Sequence, residues 1–178
     1  IMAVSHARER ELDEALAQVE KESAADVIYL VDSFGALYSE QISYLAKKYK
    51  GAMPSREIGI HAHNNQQLAF ANTIEAIIQG INYLDGTIFG IGRAAGNCPL
   101  ELLLGFLKNP KFNIRPILNV LGKDFVKLRE EIEWGYTIPY MITGILDLHP
   151  RAGMKLRNSE NKDEYLGFYE KLTSEANV

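Results

Sequence analysis

The chain has 178 residues, 47% of them hydrophobic and 24% charged, which is the composition of an ordinary globular domain. A net charge of -4 offers no basic footprint for nucleic acid, and no apolar run is long enough to span a membrane. The single cysteine, Cys98, excludes an internal disulfide and fits a reducing, cytoplasmic compartment, and no secretory signal is read. Residues 1–4 form an apolar, strand-like run with Ser5 and His6 at its exit. Nothing precedes that run, so the polypeptide is expected to be longer. Over 7–23, Leu12, Ala15, Leu16 and Val19 recur at helical spacing and predict an amphipathic helix. Residues 27–31 are nearly all apolar, as in a strand buried on both faces of a parallel sheet. That strand ends at Asp32 and Ser33, before a turn at Phe34 and Gly35. Ser39 reads as the N-cap of a helix running to Lys50, with Gly51 as its stop.

A short strand follows from Glu57 and ends in His61, Ala62 and His63. Residues 67–79 are helical by period and stop at Gly80. A fourth strand is predicted within 81–88, centred on 83–87. The loop 90–97, with Gly90, Gly92 and Gly96, leads into another helix, for which Pro99 suits the first turn and Glu101 the positive end. Leu100, Leu102, Leu103, Leu104, Phe106 and Leu107 make that helix apolar nearly all round and predict its burial. Strand–helix alternation in units of roughly thirty residues implies parallel strands joined by right-handed crossovers. The rhythm stops at Asn109 and Pro110. Helices are predicted over 123–134, 139–148 and 163–172, with no strand among them. The chain thus divides into an α/β part, 1–109, and an all-helical extension, 110–178.

In parallel α/β folds the ligand lies beyond the carboxyl ends of the strands. Ser5, His6, Asp32, Ser33, His61, His63, Asn64 and the 90–97 loop all fall on that rim. Side chains two apart on a strand share a face, so His61 and His63 point the same way. Each neutral imidazole offers one lone pair, and two together suit a divalent metal. The alternative is a pair of core histidines satisfied by hydrogen bonds. Asp32 and Asp85 are read as turn caps or histidine partners ahead of direct ligands. Cys98 is read as a packed thiol with no base beside it. Arg93 either binds a carboxylate or is solvated, His6 either faces a ligand or belongs to its loop, and His149 is read as structural. The spacing Gly90-x-Gly92-x-x-Ala95 nominally fits a dinucleotide fingerprint. It is rejected because no acidic residue follows about twenty positions on, and because the loop sits in the last strand unit.

Ile60-His61-Ala62-His63-Asn64, Asp85-Gly86, and Gly90-x-Gly92-x-x-Ala95-Gly96-Asn97-x-Pro99-Leu100-Glu101 together resemble the metal-dependent aldolase and lyase superfamily of TIM barrels. That superfamily includes 4-hydroxy-2-oxovalerate aldolase, hydroxymethylglutaryl-CoA lyase, and the isopropylmalate and homocitrate synthases. The run from Ala95 to Glu101, the Asp32-Ser33-x-Gly35-Ala36 segment, and Gly135-Tyr136-x-x-x-Tyr140 are most similar to the oxovalerate aldolase branch. The resemblance implies a (β/α)8 TIM barrel, of which this chain carries the C-terminal half, strands five to eight, followed by the helical tail. It implies His61, His63 and Asn97 at a divalent metal, manganese first, with magnesium, cobalt or zinc as alternatives. It implies Ser33 at the carboxylate of a bound 2-oxo acid and Tyr140 as a catalytic tyrosine reaching into the site. The implied reaction is retro-aldol cleavage of a 4-hydroxy-2-oxo acid to pyruvate and an aldehyde, with an aldehyde dehydrogenase as a possible partner.

The same resemblance exposes departures. The family's Arg-Asp-Gly motif, which brings a third protein ligand and an arginine, is absent from the 178 residues. A closed barrel needs eight strands and typically about 250 residues. Closure therefore calls for the other half-barrel or for a second copy. An acyl-CoA lyase or Claisen-type synthase of the same superfamily, and a non-catalytic half-barrel that dimerises or binds a partner, are the competing readings.

Overall fold

Three parallel strands carry the fold in the computed structural model, which describes residues 1–176. β1 (Val27–Asp32), β2 (Glu57–Ala62) and β3 (Tyr83–Leu84) lie side by side in chain order. β1 and β2 pair from Val27 opposite Glu57 to Asp32 opposite Ala62, and β2 meets β3 at Gly59–Tyr83 and Ile60–Leu84. Helices α1 (Glu9–Glu22), α2 (Ser39–Ala52) and α3 (Ala69–Ile78) alternate with the strands. In-register parallel pairing puts Leu30, Ile58, Ile60 and Ala62 into the core, where they meet Leu16 of α1, Ile42 and Ala46 of α2, and Ala76 of α3. Each large side chain buried there stabilises the fold by about 1.5–3 kcal/mol.

Alternation sends Tyr29, Gly59, His61 and Tyr83 to the opposite face. That face is less covered, and Tyr83 remains 43% exposed.

Two of the four expected strands are altered. Residues 1–4 form no strand; Val4–His6 is a short 3-10 turn, and Ala3 takes a left-handed φ of 53°. The segment still runs beside β1. The Ile1 nitrogen donates to the Tyr29 carbonyl at 2.6 Å, and the Ala3 amide to Ser33 Oγ at 2.7 Å. A side-chain acceptor at Ser33 and the turn at Ala3 replace a regular ladder. The strand centred on 83–87 shortens to β3, although the Asp85 amide still reaches the Ile60 carbonyl at 3.0 Å. Beyond it Thr87 exchanges backbone bonds with Cys98 and Leu100 instead, which folds the 90–97 loop back.

The helices differ at their ends. Tyr38, not Ser39, precedes α2, its amide bonded to Gln41 Oε1 at 2.9 Å, and Gly51 lies inside the last turn. α4 (Leu100–Leu107) buries Leu103 but leaves Leu102 50% and Phe106 46% exposed, so it is not buried all round.

The tail is helical as expected, with more pieces. α5 (Arg115–Val120) passes through a wide π turn, Leu121–Phe125, into α6 (Val126–Glu131). α7 (Ile138–Ile145), α8 (Arg151–Arg157) and α9 (Tyr165–Ala176) follow, and α5 and α8 both lie outside the predicted tail helices. Side chains just past β2 bind the tail. Asn65 Nδ2 donates to the Tyr140 carbonyl at 3.3 Å, and Gln66 Nε2 to the Gly144 carbonyl at 3.3 Å.

Candidate metal centre

β2 delivers His61 and His63 to one face of the sheet at its carboxyl end. Their ring centroids are 5.2 Å apart and the rings stand nearly perpendicular, at 81°. His61 Nδ1 lies 3.0 Å from Asp85 Oδ2, and His63 Nδ1 lies 3.2 Å from the Gly96 carbonyl. A carbonyl oxygen only accepts, so the His63 proton sits on Nδ1 and its Nε2 carries the lone pair. The carboxylate of Asp85 makes the same assignment for His61. Burial, reinforced by the nearby Arg93 charge, lowers the His63 pKa to about 4, so the ring is neutral and able to ligate at neutral pH.

The 90–97 loop is pinned directly against these rings. Asn97 bridges His63 through the backbone, and the Gly96 carbonyl also accepts from the Asn64 amide at 3.0 Å. Two glycines make the fold-back possible. Gly96 has φ 82°, and a Cβ there would lie 2.0 Å from the Gly90 carbonyl oxygen. A Cβ on Gly92 would lie 2.5 Å from Asn97 Nδ2. The Asn97 carboxamide donates through Nδ2 to the Ile91 carbonyl at 3.1 Å, while its Oδ1 is buried with no partner among the described residues. An orphaned buried carbonyl oxygen on the residue bridged to His63, together with two imidazole lone pairs, is a set of donor types whose chemistry fits a divalent cation. No group of three or more His, Cys, Asp or Glu side chains suited to a metal gathers among the described residues, so these three donors are a partial set.

The other rim residues take definite places. Asp32 is 1% exposed and caps the turn after β1, accepting from the Ala36 amide at 3.0 Å and the Leu37 amide at 3.4 Å. Burial outweighs those bonds and raises its pKa to about 6. Ser33 accepts the Ala3 amide at Oγ and the Arg93 guanidinium at its backbone carbonyl, the latter at 2.6 Å. Cys98 is fully buried, a packed thiol as read. Tyr140, 7% exposed, packs on Ala94 and Ala95 of the loop, with the Arg157 guanidinium 5.4 Å from its ring centre. Its phenol pKa is raised by burial. His6 is a loop residue: it packs edge-on against Phe34 at 4.7 Å and donates from Nε2 to the Asp147 carbonyl at 2.6 Å.

Reading His149 as a purely structural tail residue missed its position. It reaches the rim, 3.4 Å from Arg93 and with its ring centre 5.6 Å from that of Phe34. Asn65 was also unread; 1% exposed, it carries the tail's Tyr140 carbonyl. Its place directly after the His61-Ala62-His63-Asn64 run was the available signal.

Comparison with known proteins adds a family. The sequence matches HMGL-like proteins over residues 2–124. This chain belongs to the HMGL-like family. It is 37% identical over 133 residues to a 4-hydroxy-2-oxovalerate aldolase of Thermus thermophilus, a match that covers 75% of this chain and 36% of that protein. The N-terminal domain of a candidate aldolase from Bacteroides vulgatus superposes with a TM-score of 0.76 at 32% identity, covering 90% of this chain and 54% of that one. The HMG-CoA lyase of Bacillus subtilis superposes with a TM-score of 0.60 at 20% identity over 72% of this chain and 45% of that one, a likeness of fold alone. The family's structures are TIM barrels, and the three-stranded sheet is part of such an α/β fold. The chain spans about a third of the length of the curated relatives it matches. No helix among the described residues is long and apolar enough to cross a membrane.

Proposed function

We propose that residues 1–109 are strands five to eight of a TIM-barrel catalytic domain, that 110–178 is a helical extension, and that the whole acts in the cytoplasm as a divalent-metal-dependent aldolase. The substrate is a 4-hydroxy-2-oxo acid, cleaved to pyruvate and an aldehyde. One observation carries the reading: both histidines commit Nδ1 to an acceptor, which leaves a lone pair on each Nε2, and Asn97, bridged to His63 through the backbone, carries an unpartnered buried Oδ1. His61, His63 and Asn97 would hold the metal, manganese first. When bound, the metal supplies Lewis-acid stabilisation of the negative charge that develops as the carbon–carbon bond breaks.

The chain's own groups do the rest. Asp85 holds His61 in the ligating tautomer, and the Gly96 carbonyl does so for His63. The Ser33 hydroxyl, whose oxygen already accepts an amide, keeps its proton to donate to the substrate carboxylate. Tyr140 is held under the loop by the tail, and its phenol stays protonated at neutral pH, so it donates a hydrogen bond to a substrate oxygen.

Further strands must close the cylinder, from the other half-barrel or from a second copy. The β3 edge supports this. An apolar hollow of about 610 Å³ opens beside it, lined by Ile77, Ile81, Leu84, Leu103 and Leu107. An aldehyde dehydrogenase that removes the aldehyde product is the partner class this chemistry suits.

The test is solvent exchange of pyruvate methyl protons in D2O, read by NMR. Manganese-dependent exchange that His61→Ala and His63→Ala abolish supports the reading. Manganese binding indifferent to both substitutions overturns it.

A further inference from the structure

The chemistry above leaves Arg93 without a task, yet the rim is arranged around it. Among the described residues its guanidinium has no carboxylate partner. Nη2 donates to the Ser33 carbonyl at 2.6 Å and lies 3.5 Å from His63 Nε2, while Nη1 lies 3.4 Å from His149 Nε2. His149 Nδ1 in turn faces the Arg151 amide at 3.1 Å. A neutral imidazole has one lone pair and one N–H. Both nitrogens of His149 face donors, so in either tautomer one donor confronts an N–H. Burial and the charges of Arg93 and Arg151 lower the His149 pKa, which keeps the ring neutral at neutral pH.

His63 poses a related conflict. Its Nδ1 proton is committed to Gly96, so the Nε2 lone pair serves either Arg93 or a cation, never both. A cation at His63 takes the acceptor from Arg93 Nη2. Donors from Arg93 and His149 then meet beside the Ser33 backbone carbonyl, with no acidic side chain bonded to them among the described residues. Arg151 adds a second positive charge nearby.

We propose that Arg93 binds the carboxylate of the 2-oxo acid, with Ser33 and His149 beside it, and thereby selects an anionic substrate. A guanidinium presents paired N–H groups in the geometry of a carboxylate, which a lysine cannot reproduce. The assignment rests on the function proposed above and adds a specificity residue to it. It also gives the helical tail a part in the site, since His149 and Arg151 come from there.

The test uses the manganese-loaded chain with two probes, pyruvate and its neutral analogue pyruvamide, each titrated by calorimetry. Manganese affinity is measured separately by the loss of the free-ion EPR signal. A hydrogen bond to a charged group corresponds to about 10- to 100-fold in affinity. Arg93→Gln should weaken pyruvate by that factor, leave pyruvamide within about threefold, and leave manganese bound. Arg93→Lys should recover the binding only in part. Arg93 is exposed on the rim, so both variants should fold, and a circular dichroism melt checks this. Unchanged pyruvate affinity in Arg93→Gln with manganese still held overturns the Arg93 assignment and leaves the metal reading standing. Failure of the unaltered chain to bind manganese overturns both.

Discussion

Removing the Asp85 carboxylate should weaken the proposed metal centre without touching any of the three atoms proposed to face the metal. Asp85 Oδ2 receives the His61 Nδ1 proton at 3.0 Å, and the two side chains are 45% and 29% exposed. With that much solvent nearby, the direct charge effect of Asp85 is screened and small. What Asp85→Ala removes is the acceptor that fixes the tautomer and the ring orientation. Loss of such an outer partner typically lowers metal affinity 10- to 100-fold, or about 1.4–2.7 kcal/mol. Asp85→Asn keeps an acceptor oxygen and should lose only a few-fold. Titration of Mn2+ against each variant, followed by the EPR signal of the free ion, separates the two outcomes. Asp85 also acts on the Tyr29 phenol, whose pKa is raised mainly by burial and further by the Asp85 charge. In Asp85→Ala the Tyr29 ionisation should therefore move down, an internal check that the carboxylate was lost from this spot. If Asp85→Ala binds manganese as tightly as the unaltered chain while His61→Ala does not, the orienting role is refuted and His61 holds its tautomer by other means.

Other perturbations probe the surrounding frame. Gly92→Ala carries no backbone strain but forces the Asn97 carboxamide away from a Cβ 2.5 Å from its nitrogen; it should lower stability by about 1–3 kcal/mol and weaken manganese about tenfold, read by a urea melt and the EPR titration. Asp32 has a folded pKa raised from 3.8 to about 6, so its contribution to stability is full below the unfolded value and is lost as pH rises through about 6. Between pH 4 and pH 7 the unaltered chain should therefore lose up to about 3 kcal/mol relative to Asp32→Asn in urea melts. Trp134 is 3% exposed and donates Nε1–H to the Phe89 carbonyl at 2.8 Å. Trp134→Phe should cost about 1–3 kcal/mol in the same melts by orphaning that carbonyl.

What the sequence revealed was what local periodicity controls. Alternation on a strand places His61 and His63 together whatever surrounds them, and a polar residue at a strand end explains the capping by Asp32 and the partnership of Asp85 with His61. Apolar content without a partner was misread. The 1–4 run looks like a strand, but among the described residues its bonds to the β1 side are those of the Ile1 nitrogen and the Ala3 amide, and Ala3 turns the chain away. The helix after the loop is apolar nearly all round, yet Leu102 and Phe106 stay exposed, because composition says that a face wants cover and not which chain supplies it. The neighbours of Arg93 were out of reach for another reason. His63 and His149 lie 30 and 56 residues away from it, and only the docking of the tail through Asn65 and Gln66 brings the second of them to the rim.

The choice between a metal pair and two satisfied core histidines turns on where the lone pairs go. A histidine kept for packing finds a partner at each nitrogen, because an unmatched buried group costs about 1–3 kcal/mol. His63 Nε2 has only Arg93, at the 3.5 Å limit of a hydrogen bond, and His61 Nε2 has no donor among the described residues. Asn97 Oδ1, a third acceptor, is buried and has no partner among the described residues. Three acceptors brought to one loop by a backbone bridge, two glycines and two committed Nδ1 protons make a surplus of lone pairs. Hydrogen-bond donors supplied by the fold would have removed that surplus at little cost, and its persistence is what favours the proposed cation over a satisfied core pair.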